Sequence, residues 1–225
     1  MADWEQEHQE ATQGPTETAP SAKGEVALNN YQFNFGEYLS KGWKVFAQNM
    51  GGFIGFTVVM ILINMVLGII PVIGQIATIV IGAPLMAGYY VVARKLMNDE
   101  STSFGDFFGG FDYFLPLFLA SLVSSIFIMI GMFLLLIPGI YLAVGYMFTS
   151  LVIINRELGF FEAMELSRKL ITKKWFAFFG FSIVIMLINV VGLMLLGVGL
   201  LFTLPFTVCA IAVAYDDIVN KQLAE

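Results

Sequence analysis

Charge is what this chain mostly lacks. Of its 225 residues only 12% are Asp, Glu, Lys or Arg, against about 25% in an ordinary soluble domain. Histidine occurs once, at His8, and cysteine once, at Cys209. One cysteine excludes an intramolecular disulfide. A lone histidine in a polar tail is read as solvated, and no Cys/His/carboxylate cluster has metal-ligand spacing. Phosphate loops and dinucleotide fingerprints are absent, as are the HExxH and GxSxG patterns of zinc proteases and serine hydrolases. No catalytic, metal-binding or cofactor-binding residue can be nominated. The expectation is a protein that is not an enzyme and carries no cofactor.

What fills the chain instead is long apolar runs, with 58% of residues hydrophobic. The stretch Tyr113–Asn155 holds 43 residues without one Asp, Glu, Lys, Arg or His. A bilayer crossing takes about 20 apolar residues, so this run is a transmembrane hairpin. Its turn is expected at Pro138 and Gly139, because proline cannot continue a helix and glycine supplies a bend. Two more hairpins flank it. After Lys44 no charge appears for 49 residues, to Arg94, with a turn expected over Pro71–Gly74. The last run, Trp175–Tyr215, has 41 residues and a turn at Gly197 and Gly199. The hairpins cover about residues 52–96, 115–154 and 175–218, and the spacing follows from the length of a crossing.

Each hairpin is preceded by a two-faced segment. In Asn34–Met50 the apolar residues Phe35, Leu39, Trp43, Phe46 and Met50 recur at helical spacing, with Glu37, Lys41, Lys44 and Gln48 off the stripe. Ser101–Tyr113 sets Phe104, Phe107, Phe108 and Phe111 against Asp106 and Asp112. Gly159–Lys174 sets Phe160, Ala163, Met164, Leu166, Leu170 and Ile171 against Glu162, Glu165, Arg168, Lys169 and Lys173. All three are expected to lie in the membrane interface as amphipathic helices, and Trp175 follows as an interface aromatic would. The fold expected is all-α: six transmembrane helices as three hairpins, each led by an interfacial helix, spanning about residues 31–220. Pseudo-threefold symmetry follows if the hairpins are internal repeats.

The net charge of −6 belongs mainly to residues 1–30, which hold six acids against Lys23. That tail is too polar to offset its ordering entropy and is expected to be disordered; residues 221–225 make a short C-terminal tail. No basic start and apolar run marks a signal peptide, so the first crossing is expected to double as the insertion signal. Every Lys and Arg lies in the tails or between hairpins, and the three turns carry no charge. The positive-inside rule then places both termini in the cytoplasm.

The candidate sites are few. Arg168, Lys169, Lys173 and Lys174, with Trp43 and Trp175, either bind anionic headgroups or a partner or only fix orientation. Inside the membrane, Asn64, Ser124, Ser125 and Asn189 either line a solute path or make interhelical hydrogen bonds; Ser124 or Ser125 is read as the counterpart of the two asparagines. No ionisable residue stands mid-membrane, which lowers proton-coupled transport. The partners expected are membrane lipids, with either a membrane-protein partner or further copies of the chain. Nucleic acid is not expected on so small a membrane-apposed surface.

Several residues carry a likeness. The Pro138-Gly139-Ile140 turn, the Ala163-x-x-x-Ser167 pair before a Lys/Trp exit, Pro205 in the last helix and the Tyr215-x-Asp217 end resemble the bacterial six-helix integral membrane proteins related to the glycerophosphodiester phosphodiesterase membrane domain, and similar domains of unknown function. The likeness spans about residues 35–220, a length set by its six crossings. It implies a six-helix fold in a bacterial inner membrane. The phosphodiesterase activity of fused members belongs to a separate soluble domain and is not carried over. The leading expectation is a scaffold, accessory or lipid-interacting subunit, and the alternative is a small transporter or channel.

The charge segregation makes a topological prediction. A cysteine placed beside Gly139 will react with an impermeant maleimide from the non-cytoplasmic side. Labelling from the cytoplasm alone overturns the orientation.

Overall fold

The computed structural model describes residues 31–220. The acidic tail with His8, and residues 221–225, lie outside the described residues. Among the described residues every regular element is helical: α1 (Phe35–Gln48), α2 (Met50–Ile69), α3 (Ile73–Met97), a 3₁₀ helix (Phe104–Tyr113), α4 (Phe114–Leu134), α5 (Leu136–Gly145), α6 (Thr149–Arg156), α7 (Phe160–Thr172), α8 (Trp175–Met194) and α9 (Leu200–Asn220). Six stretches are long and apolar enough to cross a membrane: α2, α3, the 3₁₀ helix with α4, α5 with α6, α8, and α9. The chain is an all-α, multi-pass integral membrane protein.

Burial alternates along the chain. In the first helix of each hairpin 17% of the apolar window is buried; in the second helices the shares are 50%, 50% and 61%. So α3, α5–α6 and α9 form an inner set, and α2, α4 and α8 face outward. Hydrophobicity does not sort helices in lipid, whose tails are as apolar as leucine; close packing of small residues does. The inner helices supply such residues, with Ala87, Ala93, Ala210, Ala212 and Ala214 fully buried.

The two-faced segments are helical, and each also has protein to pack on. Each runs back along an inner helix with part of its apolar face covered; Phe104, Phe108 and Phe111 of the 3₁₀ helix and Trp43 of α1 stay exposed. The 3₁₀ helix lies on α3: a Cβ on Gly88 would strike the Phe107 carbonyl, and one on Gly110 would strike the Pro84 carbonyl. It continues into α4 and belongs to the third crossing. Helix α7 folds back along α6 and α5, where Ser167 meets Gly145 and Phe148, and Thr172 meets Tyr141. Helix α1 lies on α9: Tyr38 bonds Asp217, Gly42 abuts Ala210, and the ring of Trp43 meets that of Phe206. The buried stripe of α1 is therefore Tyr38, Gly42, Val45 and Phe46, while Trp43 stays 49% exposed. The first segment of the chain packs on its last crossing, which closes the three hairpins into a ring.

The repeat is legible residue by residue. Gly42, Gly110 and Ser167 are the small residues at the three close approaches. Fifteen residues after each comes Thr57, Ser125 or Ser182, and each hydroxyl donates to the carbonyl four residues before it. Ser125 is thus the counterpart of Thr57 and Ser182, not of the asparagines. Ser124 stands where the other repeats have Phe56 and Phe181, and Met132 stands where they have Asn64 and Asn189. The asparagines also behave alike, each amide donating to the carbonyl four residues earlier.

One expected turn moves. Pro138 and Gly139 are not the bend of the middle hairpin; Leu135 is, in an extended conformation. Pro138 sits in the first turn of α5, where its missing N–H costs no helix bond. Gly139 serves a different purpose: a Cβ there would come within 2.6 Å of the Met132 backbone nitrogen, and one on Gly131 within 2.9 Å of Gly139. In the first hairpin the bend falls at Pro71 and Val72, with Val72 at φ 63°. Gly74 lies in the first turn of α3, against the Leu67 carbonyl. Gly197 and Gly199 do make the third turn, Gly197 at φ 76°.

Ring closure can be tested at Gly42, where an added Cβ would fall 2.6 Å from the Ala210 Cα. Gly42→Val is expected to destabilise the protein by about 1–3 kcal/mol, while Gly36→Ala, whose Cβ meets nothing within 4 Å, will not. Thermal unfolding in detergent reads the difference.

Candidate functional site

The charged ends of the helices gather on one face, and the basic helix α7 is its most distinctive part. Its inner side is fixed. The Ser167 hydroxyl donates to the Gly145 carbonyl at 2.7 Å and accepts from the Phe148 N–H at 3.1 Å. These backbone groups flank the break between α5 and α6, where the helical ladder leaves polar groups without partners. One fully buried hydroxyl thus serves both sides of the break. In the sequence Ser167 stands out only through the Ala163-x-x-x-Ser167 pair.

The outer side of α7 carries the charge. Arg168 makes two hydrogen bonds to Glu165, at 2.7 and 2.8 Å, and one to the Tyr141 hydroxyl at 3.2 Å. The Arg168 guanidinium holds the Glu165 carboxyl below its usual range, and Glu165 in turn raises Arg168. Arg168 is therefore committed to the fold. Lys169 lies 3.6 Å from Glu165 with its side chain 54% exposed, and Lys173 is exposed. Lys174 stands over the Tyr31 ring at 5.5 Å. Trp175 stacks on Phe179 and lies tilted against Tyr141, so it packs sideways within the bundle. Trp43 is on α1, a different helix. Of the six predicted residues, Lys169 and Lys173 remain the outward basic pair.

The intramembrane polar residues do not converge. Asn64 is exposed on the outer helix α2 and bonds the Met60 carbonyl of its own helix. Asn189 bonds the Ile185 carbonyl and the Thr207 hydroxyl on α9. Ser125 bonds Ser121 within α4. All stand on outer helices, as the repeat register dictates.

What the sequence reading did not assemble is a cavity at the charged end. It measures about 530 Å³ and is walled by the ends of all three inner helices: Arg94 and Met97 from α3, Asn155 and Arg156 from α6, Tyr215 and Asp216 from α9. Arg94, Asn155 and Asp216 recur at an interval of 61 residues, so they occupy one position of the repeat. The signal was the likeness among the ends of the three second helices. Arg94 Nη1 donates to the Ile154 carbonyl at 3.0 Å and to Asn155 Oδ1 at 3.2 Å, tying α3 to α6. Leu151, 1% exposed, and fully buried Ala212 line the cavity as apolar walls. A second cavity, about 510 Å³, lies beyond Asp216 between Lys41, Lys44, Asp99 and Asp217. Among the described residues no group of three or more His, Cys, Asp or Glu side chains could hold a metal ion.

Comparison of the chain with protein-family models, with curated proteins and with solved structures finds no match.

The geometry at Ser167 gives a direct test. Ser167→Ala leaves the Gly145 carbonyl and the Phe148 N–H without this partner and is expected to cost about 1–3 kcal/mol. Chemical denaturation will register the loss, and an unchanged midpoint would mean that the break is held elsewhere.

Proposed function

We propose that this protein is a non-enzymatic accessory or scaffold subunit of the bacterial inner membrane, meeting lipid headgroups or a partner protein through its charged face. The observation that carries this reading is the disposition of polar groups. The candidate polar residues Asn64, Ser124, Ser125 and Asn189 stand on the outer helices, and Asn64 and Ser125 bond within their own helix while Asn189 reaches Thr207 on α9. The inner helices meet through buried Leu85, Val92, Leu151, Val208 and Cys209, all at most 4% exposed. A transporter would be expected to turn its polar residues toward the shared interior.

The transport reading has one feature on its side, the cavity at the charged end, where charged side chains share the lining with apolar Leu151 and Ala212. On the outside of the bundle, Lys169 and Lys173 project from a helix whose apolar face is already occupied. Such a helix presents charge without inserting, which suits headgroups or an acidic protein surface. The resemblance to six-helix bacterial membrane proteins is consistent with this placement and adds no activity.

Two lysines near an anionic surface contribute about 1 kcal/mol each. Lys169→Gln combined with Lys173→Gln is therefore expected to reduce retention of a co-purifying partner or anionic lipid about 30-fold, with little change in melting temperature. Native mass spectrometry of protein extracted gently from its own membrane measures both. A bare chain, or retention indifferent to the two lysines, overturns the reading.

A further inference from the structure

The cavity at the charged end has a charge pattern that selects among ligands. Two guanidinium groups, Arg94 and Arg156, line it together with the carboxylates of Asp216, Glu100 and Glu157. Glu100 and Glu157 are exposed and form the rim, whereas Arg94, Asn155, Arg156 and Asp216 are half-buried. The lower wall is apolar, from Leu151, Ala212, Met97 and Val219. A simple polyanion would meet three carboxylates, and a simple cation would meet two guanidiniums. A molecule bearing one group of each sign on a short carbon chain is complementary to all of them.

Arg94 is placed to receive the anionic end. Its hydrogen bonds to the protein both run from Nη1, and guanidinium carries further donors at Nη2 and Nε in a fork suited to phosphate or carboxylate. Asp216 lies in the wall contributed by α9 and also borders the second cavity. It carries the negative charge from a different repeat, with Lys41 among the charges that act on it. The three equivalent positions have thus diverged into a cation (Arg94), a neutral amide (Asn155) and an anion (Asp216). That turns a symmetric ring into a polarised one.

We propose that this cavity binds a small zwitterion, an anionic phosphate or carboxylate joined through a few carbons to an ammonium group, with the anion at Arg94 and Arg156 and the ammonium at Asp216. The same chemistry is carried by a free solute and by the headgroup of an ethanolamine phospholipid. The site stands apart from the outward lysines of α7 and does not depend on their role.

The test uses the full chain in an uncharged maltoside detergent, titrated with phosphoethanolamine, inorganic phosphate and ethanolamine. Calorimetry and the shift in melting temperature are read together. Phosphoethanolamine is expected to bind at least tenfold more tightly than either single-charge probe. Asp216→Asn will erase its advantage over phosphate. Arg94→Gln will weaken phosphate and phosphoethanolamine alike by tenfold or more, and Gly36→Ala will change neither. Because Arg94 also ties α3 to α6, the Asp216 variant keeps the test decisive if the Arg94 variant fails to fold. The assignment is overturned if phosphate matches phosphoethanolamine on the unaltered protein, if no probe binds, or if Asp216→Asn leaves the preference intact. Adding phosphatidylethanolamine to the micelles separates the sources: competition with the free probe marks the headgroup as occupant, and an undisturbed titration marks a soluble zwitterion.

Discussion

At Gly42, Gly110 and Ser167 a two-faced helix comes against an inner helix closely enough that a larger side chain would strike main-chain atoms or displace a hydrogen bond. The rest of the structure depends on these three approaches. In lipid there is no hydrophobic drive to bring one helix onto another, so shape and polar satisfaction must do it. A missing side chain allows the first two contacts, and a hydroxyl bound on both sides makes the third. Once the three segments are seated, the inner helices are held on both flanks and the outer helices are left for the lipid.

The crossings were legible in the sequence because the bilayer imposes a length and forbids charge over it, and both are visible without a fold. The seating of the amphipathic segments was not. A stripe such as Phe35, Leu39, Trp43 and Phe46 says that a helix has an apolar side, but not whether lipid or protein will cover it. Glycine was the better signal: Gly42 interrupts that stripe and marks the contact with Ala210. The middle turn misleads for a related reason. Proline and glycine at 138 and 139 match a bend as well as they match a helix start packed against its neighbour, and only the position of Met132 decides between them. Matching Ser124 and Ser125 to the asparagines by polarity puts them at the wrong place in the repeat. Their spacing from Gly110 places Ser125 with Thr57 and Ser182 and leaves Ser124 at a ring position of the other repeats.

The charged face divides into two regions of different character. On α7, arginine is tied down by Glu165 and Tyr141 while Lys169, near Glu165, and Lys173 keep exposed side chains at the surface. In the cavity at the charged end, arginine again bridges helices, but with donors left over and with carboxylates opposite. The same residue type is structural in one region and recognition-ready in the other, because its partners use different numbers of its donors.

The contact of α1 with α9 also sets an order of events. A chain is made from its N-terminus, so α1 emerges while the helix it must lie on, some 170 residues later, does not yet exist. The apolar face carrying Tyr38, Val45 and Phe46 therefore has no permanent cover through the insertion of the intervening hairpins. Until α9 arrives the ring is an open arc, and its walls can still separate. Assembly of this protein is in that sense a latch thrown by the last crossing, and any factor that shelters α1 in the meantime would be displaced by the protein's own final helix.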